Sequence, residues 1–186
     1  MRWWNLMGIF DRFMDKAKAS AGFSADILDK INSNEALIKE GITQYYADNK
    51  VKEGNQYDEV MMIQGVKSIL YDEYYSLKEK GKKEAYKYFF VDQYFKNNIK
   101  NAVARLHQLL IRCNNEAFKV ESYKKKAEFE RDKHNLDAYG EYQAKQAEYE
   151  GYLKKDEASL NKIFDRYKEI YESKDFEQKN SGERSR

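Results

Sequence analysis

Apolar residues recur at helical spacing along almost the whole chain, and the polar positions between them sort onto opposite faces. Trp3, Leu6, Met7, Phe10, Phe13, Met14 and Ala17 fall within an arc of about 120° on a helix, opposite Asp11, Arg12, Asp15, Lys16 and Lys18. Trp4 and Ile9 lie off that stripe, and Ser20-Ala21-Gly22 reads as its stop. Residues 23–52 carry Ile27, Ile31, Ile38, Ile42 and Tyr45 on one face. Asn32 and Glu35 have the spacing of a capping box, which divides this stretch into two helices. Lys52-Glu53-Gly54-Asn55 reads as a turn. A third helix over 58–79 aligns Val60, Ile63, Val66, Leu70, Tyr74 and Leu77, and closes at the KEKGKK of 78–83.

From Glu84 the pattern lengthens. Ile99, Val103, Leu106, Leu110, Cys113, Ala117, Val120, Lys124 and Ala127 alternate at spacings of four and three, a heptad seam interrupted only by Lys124. A second seam runs through Tyr139, Tyr142, Gln146, Tyr149, Leu153, Asp156, Leu160, Ile163, Tyr167 and Ile170. Residues 134–140 either bend the chain into a hairpin or shift the register within one helix; Asn135 and Gly140 there, and the fading of the first seam at Arg131, favour the hairpin.

Composition supports the helical reading. Proline is absent, and nothing removes a backbone donor from a long helix. Leu, Ile, Val and Phe make up only about a fifth of the chain. The 34 basic residues nearly balance the 32 acidic ones, so self-repulsion does not force disorder. A thin core of this kind suits an elongated all-α bundle better than a sphere. The expected organisation is an amphipathic helix over 1–20 and short helices over 23–80. A long antiparallel, coiled-coil-like hairpin follows over 84–172, then a disordered tail over 173–186.

Candidate chemistry is sparse. His107 and His134 are 27 positions apart, and no H-x-x-E, E-x-x-H or H-E-x-x-H run occurs, so no metal helix is indicated. His134 follows Glu130 by one helical turn, the spacing of an exposed ion pair. DNKVKEGNQYDE at 48–59 puts Lys50 and Lys52 where a calcium loop needs oxygen ligands. GKK at 81–83 lacks the remainder of a phosphate-binding loop. Cys113, the single cysteine, sits in an apolar seam and cannot form an internal disulfide. No enzyme, cofactor or metal is expected. No run approaches the ~18 apolar residues of a membrane span. The expected location is cytoplasmic, with peripheral membrane attachment as the variant.

Three surfaces remain for function. The first is a partner or membrane interface at the N-terminal helix: Trp3, Leu6, Met7, Phe10, Phe13 and Met14 of the stripe, with Trp4 beside it. Asp11, Arg12, Asp15 and Lys16 interrupt it and exclude a signal peptide, which leaves core packing, a membrane surface or a partner groove. From Met7, MGIFDRF resembles the opening of phage-shock protein A and its relatives over these seven residues, which implies a first amphipathic helix that touches membranes. The second surface is a possible partner face at Tyr142, Tyr149 and Tyr152, since tyrosine is at home at interfaces and at wet core edges. The third interleaves Lys80, Lys82, Lys83 and Lys87 with Tyr86, Tyr88, Phe89 and Phe90, a weak single-stranded nucleic-acid candidate. The expectation is a non-catalytic protein–protein interaction module: a scaffold, adaptor or assembly subunit that binds another protein or itself. A peripheral membrane protein is the alternative, and a nucleic-acid binder over 78–90 the third reading.

Overall fold

The computed structural model describes the backbone of residues 21–81, 85 and 89–183, and side chains within 27–170 of these. The N-terminal candidates Trp3, Trp4, Leu6, Met7, Phe10, Phe13 and Met14 lie outside the described residues, as do Lys82, Lys83 and Lys87. The described chain is all-α. Its helices are α1 (Ala21–Ser33), α2 (Glu35–Asp48), α3 (Glu59–Lys80), α4 (Asp92–Asp132) and α5 (Leu136–Glu183), with a 3₁₀ turn at Glu53–Asn55 between α2 and α3. The two long helices α4 and α5 form the antiparallel hairpin on which the shorter ones pack.

The predicted faces become the core. Ile27 and Ile31 of α1, Ile38 and Ile42 of α2, and Ile63, Val66, Leu70 and Tyr74 of α3 are all buried. They surround Ile99, Val103, Leu106 and Leu110 of α4, and Leu160 and Ile163 of α5 pack against the same cluster. Two details differ from the periodic reading. Val60 is 60% exposed while Met62 is fully buried, and Tyr46 enters the core while its neighbour Tyr45 packs half-buried against it. Ala21 and Gly22, read as a stop, are helical; a glycine within a helix costs about 1 kcal/mol, which tertiary packing readily offsets.

Helix ends follow local chemistry. Asp58 caps α3 by accepting from the Met61 amide at 2.9 Å. The break between α1 and α2 falls at Asn34, two residues past the expected capping box at Asn32. There Asn34 Nδ2 donates to the Lys30 carbonyl at 2.7 Å, so the side chain closes the preceding helix rather than opening the next. Glu35 is free to accept from Lys67 Nζ at 2.7 Å instead. The buried Lys67 ammonium holds the Glu35 carboxyl below the usual carboxylate range and ties the first turn of α2 to the middle of α3.

Two chain reversals use left-handed residues other than glycine. Lys50 after α2 has φ 51° and His134 after α4 has φ 57°. In each, the next amide reaches back five residues: Val51 to the Tyr46 carbonyl at 2.9 Å, and Asn135 to the Glu130 carbonyl at 3.0 Å. The left-handed residue bonds back three, which completes a Schellman motif. The hairpin turn is therefore tighter than 134–140, and Gly140 lies inside α5. Leaving the helix at His134 also removes it from the face of Glu130, whose carboxylate accepts from Asn135 Nδ2 at 2.8 Å. At the far end α5 continues as backbone helix to Glu183, past residue 172, where the sequence places the start of a tail. No proline stands in that stretch to stop it.

The other histidine is in the body. His107 of α4 is 3% exposed, ringed by the edges of Tyr45, Tyr46 and Tyr57 at centroid distances of 5.1, 5.4 and 5.6 Å. Neither of its ring nitrogens has a hydrogen-bond partner among the described residues, and burial pushes its pKa below the ordinary 6.5. The Tyr57 amide donates to the Tyr46 hydroxyl oxygen at 3.2 Å, and Asn114 donates to the Tyr57 hydroxyl at 2.8 Å, so the loop after α2 is fastened across α4.

Candidate interaction surface

The second seam is realised in full: every position from Tyr139 to Tyr167 is half-buried, and Ile170 is buried. The first holds at Cys113, Val120 and Ala127 but moves by one residue at two positions, because Ala117 and Lys124 are exposed while Glu116 and Tyr123 are half-buried. Spacings of three and four are interchangeable at each step of a seam, and the shift sends the Lys124 charge to water. Antiparallel pairing fixes the register. Arg112 grips Asp156 through two nitrogens, at 2.6 and 3.4 Å. Seven residues further along α4, Lys119 donates to Tyr149 Oη at 3.2 Å, seven residues earlier on α5. At the next step Tyr123 is sandwiched between Tyr142 and Tyr149, 6.2 and 5.6 Å away with rings within 27° and 15° of parallel.

The core cluster ends at Leu110, and beyond Cys113 the only described residue of α4 that is buried is Ala127. Residues after Asn114 thus form a two-helix arm of about 30 Å, at 1.5 Å per residue. Its seam is imperfect. Glu116 Oε2 is buried without a partner, and burial, with Asp156 beside it, raises the carboxyl above its ordinary 4.5. Glu116→Leu is expected to stabilise the protein by about 1 kcal/mol at neutral pH, since an apolar side chain fits that position without desolvating a charge. The raised pKa means the native state holds the Glu116 proton more tightly than the unfolded one, so this group costs stability as pH rises through it. Urea midpoints of the two proteins should therefore converge as pH is lowered from 7 towards 4.5.

Opposite the seam lies a row that pairs with no other helix among the described residues. Ile111, Phe118 and Phe129 stand seven and eleven residues apart, within about 20° of one another on a helix and about 160° from the seam. They are 39, 75 and 56% exposed. Leu136, just past the hairpin turn, is exposed as well. Along one flank, Lys119, Lys126 and Lys133 repeat every seven residues. Each lies over an aromatic face: Lys119 over Tyr149 at 4.5 Å, Lys126 over Tyr123 at 5.3 Å, and Lys133 over Phe129 at 4.0 Å. These cation–π contacts anchor the stems and leave the ammonium groups wet.

The residues proposed from sequence fall differently. Tyr142 and Tyr149 are half-buried in the seam, where they hold the arm together, whereas Tyr152 is 49% exposed and donates to Glu148 at 2.8 Å. Lys80 is exposed at the end of α3. Phe89, an aromatic of the basic stretch 78–90, is fully buried, and Phe90 packs against the core. Sequence reasoning passed over Phe118, Phe129 and Tyr123 by following only the inward seam; the spacing of Ile111, Phe118 and Phe129 was the available signal.

Among the described residues no group of three or more His, Cys, Asp or Glu is placed to hold a metal ion, and no helix is long and apolar enough to cross a membrane. Cys113 is buried, and its thiol is pushed up by that burial. The class defined by this geometry is an all-α protein built on a long helical hairpin. No protein family, curated protein or solved structure matches the chain.

Proposed function

We propose that this protein is a non-catalytic helical interaction module, a scaffold or assembly subunit, whose two-helix arm takes an acidic amphipathic helix of a partner protein. One observation carries the reading: the exposed row of Ile111, Phe118 and Phe129 on the face of α4 turned away from α5. Each large apolar side chain left in water forgoes about 1.5–3 kcal/mol that burial would supply. A third helix laid along α4 would cover the row as a further seam. Its acidic flanking positions would then meet Lys119, Lys126 and Lys133, the role that such positions play in coiled-coil partner choice. The alternative of membrane attachment through residues 1–18 rests on residues outside those described. The nucleic-acid reading loses Phe89 to the core.

The probe is a labelled synthetic amphipathic helix with leucine on one face and glutamate beside it, followed by fluorescence anisotropy. Saturable binding is expected, weakened at least tenfold by Phe118→Asp and by the triple change Lys119→Glu, Lys126→Glu, Lys133→Glu. All four positions are exposed, so circular dichroism should be unchanged. No binding, or binding indifferent to these changes, overturns the proposal. So does sedimentation that shows the row already covered by a second copy, or vesicle binding lost in the same variants.

A further inference from the structure

The loop that crosses α4 leaves a cleft of about 590 Å³ between residues 50–57 and the helix. That volume lies in the range of small-molecule sites, about 300–1,000 Å³. Its lining is one-sided in charge: Lys50 and Lys52 contribute ammonium groups, Asn55 and Asn115 amides, and no Asp or Glu lines it. Among the described residues neither lysine is paired with a carboxylate. Glu53, next to Lys52 in sequence, does not line the cleft. His107 lines the cleft and is buried, and neither of its ring nitrogens has a partner among the described residues. A buried polar group left without a hydrogen bond is uncommon in native proteins and calls for a partner that the described residues do not supply.

We propose that this cleft binds a small phosphorylated molecule, with Lys50 and Lys52 on the phosphate and His107 at the inner end. Two cations with neutral donors suit a dianion better than a single carboxylate. A phosphate alone would occupy only part of the volume. The remaining wall includes Tyr57, which suits an organic moiety. The left-handed Lys50 and the bonds of Tyr57 with Tyr46 and Asn114 hold the loop in place before any ligand arrives, which limits the ordering cost of binding. The cleft shares Ile111 with the exposed row of the arm, but Phe118, Phe129 and the flanking Lys119, Lys126 and Lys133 do not line it, so the substitutions that test the two sites do not overlap.

The chain has only two histidines, so the imidazole NMR signals are assigned by one substitution, with exposed His134 as an internal control. Inorganic phosphate and phenyl phosphate are titrated into the full-length protein, against sodium chloride and sodium acetate at equal ionic strength. Saturable shifts of the His107 signals are expected with both phosphates, at least threefold tighter for phenyl phosphate, while His134 follows only pH. Lys50→Gln with Lys52→Gln should weaken the response at least tenfold, and because both side chains are exposed the circular dichroism spectrum should not change. The proposal is overturned if His107 does not respond, if acetate or chloride acts equally well, or if the double variant still responds in full.

Discussion

Replacing Phe89 by alanine is expected to destabilise the protein by about 3–5 kcal/mol, the range for deleting a fully buried aromatic ring. Phe89 is 0% exposed. Its ring meets Tyr74 of α3 edge-on at 5.3 Å and Phe95 of α4 at 6.2 Å, so it joins the end of one helix to the start of the next. Such aromatic contacts add about 0.5–1.5 kcal/mol to the burial of the ring itself. Urea unfolding, fitted for midpoint and slope, checks the magnitude. The same variant separates two uses of the KEKGKKEAYKYFF stretch. If Phe89 stacked on nucleic-acid bases, its removal would weaken oligonucleotide binding and leave the midpoint where it was. A core role predicts a large fall in the midpoint, and an unmoved midpoint would refute it.

The second large effect is expected at Gly65. A Cβ built there would lie 2.5 Å from Leu106 Cδ2 and 3.2 Å from Cδ1, and Leu106 is itself fully buried. The absence of a side chain on α3 is what allows α4 to come so close. Gly65→Leu should cost about 3 kcal/mol or more, at the upper end of overpacking effects, because neither helix has free volume to yield. Gly65→Ala is milder: the far end of Leu106 can turn aside, and alanine recovers about 1 kcal/mol of helix propensity. Coupling identifies the cause. Leu106→Ala alone should cost about 2–5 kcal/mol by opening a cavity. Combined with Gly65→Leu it should cost clearly less than the sum of the two, since the new side chain can occupy the vacated space. Strict additivity in thermal or urea unfolding would show that Gly65 acts through the backbone rather than through this contact. Gly41 repeats the arrangement on α2, where a Cβ would meet Ile99 Cγ2 at 2.7 Å.

Much of the architecture was legible because its cause is local. An apolar residue every three or four positions, with no proline anywhere, dictates helices that must pair along those faces. That reasoning places Ile27, Ile31, Ile38 and Ile42 in the core and assigns all of the Tyr139–Ile170 seam to the buried side of α5. It is weaker where two registers satisfy the same rule. Ala117 and Glu116 both fit the spacing after Cys113. Contacts with α5, from Arg112 to Asp156, from Lys119 to Tyr149 and of the Tyr123 ring between Tyr142 and Tyr149, go with the register that brings Glu116 inward.

By itself, then, the sequence determined helical class and most of the inward faces, since periodicity and the absence of proline act within a few turns. The choice between a hairpin and a register shift in one helix was settled by the packing of α4 on α5. Tertiary structure decided what depends on residues far apart in the chain. The turns after α2 and α4 take Lys50 and His134 into left-handed geometry with no glycine to announce it, because bonds back to the preceding helix outweigh about 1–2 kcal/mol of local strain. His107 is enclosed by tyrosines about 50 to 60 positions upstream, a meeting that no local pattern encodes. Ile111, Phe118 and Phe129 become a surface only because α5 takes the opposite side of α4 and α1–α3 pack on its other half. A helix has one face for each neighbour, and which face is left to water is settled only when all the neighbours are in place.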